Sequence, residues 1–108
     1  MKASLLTQEA LKALPERLPQ WRLSADGLSI SRTFVFADFA QAFAFMTRMA
    51  EVSERLDHHP EWRNVYNRVE VTLTTHDAGG ISERDITWAR AADAAFARHL
   101  SPTFQAGA

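Results

Sequence analysis

The sequence predicts an α+β fold: two layers, with a four-stranded antiparallel sheet covered on one face by three helices, in the order α-β-β-α-β-β-α. Two stretches, residues 21–36 and 62–75, alternate apolar and polar residues with the period of a strand. Each is interrupted by a turn signal, Ala25-Asp26-Gly27 in the first and Asn67 in the second. Helical periodicity opening on a capping residue appears before, between and after them. Strand pairs separated by single helices make a two-layer α+β arrangement.

Thr7 can cap a short first helix that ends before Pro15, with Leu11 and Leu14 on its apolar side. Residues 21–24 and 28–36 read as two strands. In the second, Leu28, Ile30, Phe34 and Phe36 share one face, and Ser29, Ser31 and Thr33 the other. Asp38 opens the central helix, with Gln41 completing a capping-box-like pair. This helix carries two apolar rows: Phe39, Phe43, Met46 and Ala50 in one, and Ala42, Phe45, Met49, Val52 and Leu56 in the other. A helix lying on one sheet needs a single stripe, so the second row is expected to meet another subunit, giving a homodimer or homotetramer through residues 38–56. The bland alternative is a helix sunk deep in its own core.

A short strand over 62–66 and a long one over 68–75 follow. Val69, Val71 and Leu73 make the oily face of the long strand; Glu70, Thr72, Thr74 and then His76 make the polar one, as in a sheet covered on one side only. Asp77-Ala78-Gly79-Gly80 turns the chain. Ser82 caps the last helix with Asp85 at its third position, and Ile86, Ala89, Ala92 or Asp93, and Phe96 trace its buried side.

A chain of 108 residues is expected to form one domain over 1–108, and with 46% hydrophobic residues it can bury a core unaided. It has no cysteine, which removes disulfides, thiolate metal sites and cysteine nucleophiles from consideration. Twelve basic against thirteen acidic residues, scattered along the chain, argue against nucleic acid as a partner. No apolar run is long enough to span a membrane. The first 21 residues lack the apolar core of a signal peptide, so a cytoplasmic address is expected. Residues 102–108 are expected to fray.

Half of the four histidines stand together in ERLDHHPEW, residues 54–62. If the central helix runs to Asp57 or His58, then Glu54 and His58 share a face. His58 then sits where the helix dipole and the carboxylates of Glu54 and Asp57 favour a cation, as suits a general acid. His59 precedes proline, which disfavours helical dihedrals, so the chain must turn there. His76 closes the polar face of the long strand. Each histidine also has a plain structural reading: a helix C-cap for His58, a pre-proline filler for His59, an exposed strand end for His76. Asp85 reads as a helix cap, Trp62 as core or pocket wall, and His99 as surface.

Three histidines could bind zinc, but neighbouring residues rarely aim both rings at one ion, and a helical i, i+4 histidine pair is missing. No serine lies in a nucleophile-elbow context, and Gly79-Gly80 alone is a weak anion signal. Acid–base chemistry without metal or covalent intermediate remains.

The pattern Glu54-x-x-x-His58-His59-Pro60, followed by Tyr66, His76 and Asp85, resembles the signature of the pterin-4a-carbinolamine dehydratases. The segments AFAFMTR, LDHHPEW, VYN and VTLTTHDAGGISERDI carry the likeness from about Phe34 to Ala89. The resemblance implies dehydration of 4a-hydroxytetrahydrobiopterin to quinonoid dihydropterin, recycling the pterin of aromatic amino-acid hydroxylases without metal or redox cofactor. It implies His58 and His76 as the acid–base pair and His59 as a pterin-binding and assisting residue. Glu54, Asp57, Trp62 and Asp85 would line or tune the substrate site. A non-enzymatic binding module on the same fold, using helix 38–56 for association, is the alternative.

Overall fold

The computed structural model describes residues 4–99, the side chain of His99 excepted. The expectations for residues 102–108 and for the surface position of His99 lie outside the described residues. The elements are α1 (Gln8–Lys12), α2 (Leu14–Arg17), β1 (Arg22–Leu23), β2 (Ile30–Val35), α3 (Phe39–Leu56), β3 (Glu61–Val65), β4 (Arg68–Leu73) and α4 (Glu83–His99).

The strands form one antiparallel sheet in the order β1-β2-β4-β3. β4 is central, with Phe34 opposite Val69 on one side and Trp62 opposite Val71 on the other. Ile30, Phe34, Val69, Val71 and Leu73 point into the core, whereas Thr33, Arg63 and Glu70 are exposed. One face is thus covered and the other open, as the alternation predicts. Leu28 departs from expectation. It precedes β2 and is half-exposed, and the inward position between Ile30 and Phe34 belongs to Arg32. The Arg32 guanidinium lies 4.4 Å from the Phe34 ring centroid and pairs with Asp93 at 2.6 Å, which lets a cation close the edge of an aromatic core.

The first helix is two. Thr7 caps α1 as expected, Ala10 N–H donating to its Oγ1 over 3.1 Å. Pro15 does not end the helical region but stands in the first turn of α2, where proline's missing N–H has no intrahelical partner to lose. The described residues therefore form four helices.

α3 begins at the expected cap: Gln41 N–H donates to Asp38 Oδ1 over 2.8 Å, and Gln41 Oε1 accepts from Ala37 N–H over 3.0 Å. It stops at Leu56, within the expected 38–56 span and short of the Asp57 or His58 that would have kept Glu54 and His58 on one helical face. Asp57 takes the left-handed conformation at φ 50°, and its N–H and that of His58 donate to Glu54 O and Ser53 O. This paired closure is the Schellman arrangement, built on an aspartate where glycine is usual. Of the two apolar rows, Ala42, Phe45, Met49 and Val52 are buried with Leu56 partly so, while Phe39 and Phe43 are half-exposed. Their rings lie 5.7 Å apart on the outer side of the helix.

α4 packs Ile86, Ala89 and Ala92 into the core, and with them Trp88, fully buried. The Trp88 indole N–H donates to Ser53 Oγ over 2.8 Å, joining α4 to the last turn of α3. Among the described residues, no helix is long and apolar enough to cross a membrane.

Candidate active site

The segment 57–60 leaves α3 in a left-handed turn at Asp57 and enters β3 at Glu61. The two adjacent histidines diverge along it. His58 turns inward, its side chain only 8% exposed, and its Nε2 lies 2.6 Å from Oδ1 of the fully buried Asp85. His59 turns outward and its Nε2 lies 2.6 Å from Glu54 Oε2, both groups exposed. Glu54 therefore pairs with His59, not with His58. The early end of α3 breaks the helical spacing that would have set Glu54 over His58.

Asp85 serves two elements. Its Oδ2 accepts the Ser82 N–H over 2.9 Å, the expected capping contact, and the Thr75 hydroxyl over 2.8 Å. Its Oδ1 meets His58. It lies behind that ring, not on the surface. Thr75 continues the inward row of Val69, Val71 and Leu73 and is 1% exposed. The next residue, His76, faces out, as the period of two requires. His76 Nε2 lies 3.3 Å from Oε2 of Glu61, the first residue of β3.

Each of the three histidines is thus paired with a carboxylate, and the pairs are linked through the chain. Glu61 follows His59 by two residues and reaches His76. Thr75 precedes His76 and reaches Asp85, which holds His58. The site gathers the end of α3, the start of β3, the end of β4 and the start of α4. Trp62 is half-buried beside it in β3, its ring 6.1 Å from that of Trp88 and nearly perpendicular. Asp57 is exposed at the α3 terminus.

Glu61 and Thr75 were not singled out from sequence. Thr75 left a signal: a hydroxyl in the period-two position of an otherwise Val-Val-Leu row. Glu61 left none. Among the described residues, no three His, Asp or Glu side chains converge as a metal site. A cleft of about 460 Å³ lies elsewhere, lined by Leu5, Leu11, Leu23, Leu28 and Ile81 with Lys12 and Asp26 at its margin. It holds no histidine, so the histidine–carboxylate pairs and this concavity do not coincide.

Fold and constellation together describe a small α+β domain that concentrates histidine–carboxylate pairs at one end of its sheet. The chain matches the family described as pterin 4 alpha carbinolamine dehydratase over residues 4–95. A relative from Novosphingobium aromaticivorans, provisionally named pterin-4-alpha-carbinolamine dehydratase, is 60% identical over 91 residues, 84% of this chain and 95% of the relative. One from Rhodopseudomonas palustris with the same provisional name is 56% identical over 97 residues, 90% of this chain and 95% of its own. A solved structure described as a transcriptional coactivator/pterin dehydratase from Brucella melitensis superposes with a TM-score of 0.82 at 43% identity, covering 85% of this chain and 98% of that one. A pterin dehydratase-like protein described as a RuBisCO assembly factor in the alpha-carboxysome gives 0.62 at 27% identity, covering 71% and 89%. The chain belongs to the pterin-4α-carbinolamine dehydratase family, whose members are hydro-lyases.

Proposed function

We propose that this protein is a cytoplasmic enzyme that dehydrates 4a-hydroxytetrahydrobiopterin to quinonoid dihydropterin, using His58 and His76 as its acid–base pair. In this reaction the C4a–O bond breaks, a proton is delivered to the departing hydroxyl and the N5 proton is removed, so water leaves and no electrons change hands. One positioned group donates and another accepts. The observation that carries the reading is the pairing of all three histidines with carboxylates at one end of the sheet. Such pairs set the orientation and charge of an imidazole, as general acid–base catalysis requires. His59, held by Glu54, contacts the pterin and assists. Trp62 walls the site, and Asp57 stands at its rim. Asp85 acts through His58.

The test is stopped-flow decay of enzymatically generated 4a-hydroxytetrahydrobiopterin. Added protein accelerates the decay, and His58→Ala or His76→Ala each removes ~10²–10⁴ of the rate. Unchanged decay with the parent protein, or full activity in both variants, overturns the reading.

A second reading is supported by the half-exposed Phe39–Phe43 pair on α3 and by the solved relative described as an assembly factor. On that reading the outer row of α3 is an association surface. It serves self-assembly into a dimer or tetramer, and the two roles are compatible.

A further inference from the structure

Behind His58, the side chains of Asp85, Thr75 and Ser82 form a hydrogen-bond circuit that closes through the Ser82 backbone and runs in one direction. Asp85 is fully buried and its carboxylate meets three groups: Thr75 Oγ1 at 2.8 Å and Ser82 N at 2.9 Å on Oδ2, and His58 Nε2 at 2.6 Å on Oδ1. A threonine hydroxyl has one proton to give. With that proton on Asp85, the 2.6 Å contact between Thr75 Oγ1 and Ser82 Oγ has Ser82 as donor. Ser82 Oγ in turn accepts from the Arg84 N–H over 3.2 Å. The hydroxyl protons therefore all run one way, from Ser82 to Thr75 to Asp85. Chains of this kind strengthen each member.

At the other oxygen, imidazole is a stronger base than carboxylate, so the shared proton sits on His58 Nε2. The second ring nitrogen has no partner among the described residues, yet no buried side-chain nitrogen or oxygen there is unsatisfied. Nδ1 therefore reaches the surface.

We propose that the Ser82–Thr75 hydroxyl chain orients Asp85 so that His58 is held as the Nε2–H tautomer, leaving Nδ1 as the atom that exchanges a proton with the substrate. This rests on the acid–base reading of His58 and assigns the reacting atom within it. Thr75 and Ser82 are positioning residues. Protonated, the ring gives its Nδ1 proton to the departing hydroxyl; neutral, it takes the N5 proton at Nδ1. In either direction the Nε2–H stays on Asp85, so the ring does not reorient between steps. Thr75 is also the residue before His76 and closes the 75–80 turn with its backbone, its N–H donating to Gly80 O over 2.8 Å. One residue thus braces both proposed acid–base histidines.

The test uses the full chain labelled with ¹⁵N, and long-range proton–nitrogen correlation of the histidine rings at a pH where His58 is neutral, with His58→Ala for assignment. Nε2 of His58 is expected in the protonated range and Nδ1 in the unprotonated range. The reverse pattern overturns the proposal, and it does so without any turnover being measured. Thr75→Val, nearly the same shape without the hydroxyl, is expected to lower kcat about tenfold, the loss of roughly one hydrogen bond to a charged group. KM should stay within about twofold, and the ring should show mixed tautomers. Thr75→Ser restores both. Thr75→Val matching the parent in kcat and tautomer also overturns the proposal, and if that variant fails to fold, the wild-type tautomer alone decides. Full activity in His58→Ala would instead sink the acid–base reading on which the assignment rests.

Discussion

Replacing Asp85 by alanine should destabilise the fold far more than removing any exposed carboxylate of the same site. Asp85→Ala leaves the Thr75 hydroxyl, the Ser82 N–H and the His58 ring facing a cavity in a region shielded from water. Removing one partner of a buried pair typically costs about 3–5 kcal/mol. The lost helix-cap contact is worth about 1 kcal/mol by itself. These losses share one cluster and do not add fully, so about 3–5 kcal/mol is expected in all. That is a large part of the ~5–15 kcal/mol that holds a domain of this size together. Glu54→Ala is the internal control. Its partner His59 is 55% exposed and its own side chain 79%, and surface pairs contribute about 0–1 kcal/mol. Urea unfolding followed by tryptophan fluorescence reads both variants, with the slope m unchanged if the folded states are alike. His58→Ala combined with Asp85→Ala should cost less than the sum of the two. If Asp85→Ala falls within about 1 kcal/mol of Glu54→Ala, the buried network does not hold this part of the fold.

Two further outcomes follow from surface features. The Asp26 carboxyl is held below its ordinary value of 3.8, first by the Ser24 hydroxyl and then by the Leu28 N–H. Its contribution is therefore fully present above the ordinary value and lost as pH falls through the lower folded-state value. The stability gap between parent and Asp26→Ala in acid urea titrations should shrink on acidification; a gap that widens contradicts the turn geometry. Phe43→Glu should shift the mass measured by light scattering at micromolar concentration from a dimer or tetramer to a monomer, and a monomeric parent would refute association through α3.

The succession of helices and strands along the chain, the alternation of covered and open sheet positions, and the caps at Thr7, Asp38 and Ser82 were legible because each depends on residues within a few positions of one another; the sheet order β1-β2-β4-β3, set by pairing between distant segments, was not. Helix ends were hardest to read where a residue type stood in for its usual neighbour. Pro15 starts a helix in place of ending one, and Asp57 supplies a left-handed closure without glycine. Half of the site was legible in the same local sense. The histidine doublet announced a turn, and the period of two placed His76 outward. Its partners were not. Asp85 meets His58 across 27 residues of sequence, and no local rule could choose it over Glu54. The glutamate at position 61 is one exposed carboxylate among many until the pairing of β3 with β4 brings it to His76. Thr75 was readable in hindsight as the single hydroxyl in an apolar row.

On the proposed function, the histidine patch, and not the apolar cleft between Leu5 and Leu28, receives the pterin. A crystal structure with a non-reactive pterin analogue bound tests this most directly. The ring is predicted to lie against His58, His59 and His76 with Trp62 at its side. An analogue seated in the cleft lined by Leu5, Leu11, Leu23 and Leu28, with the histidines untouched, would contradict it.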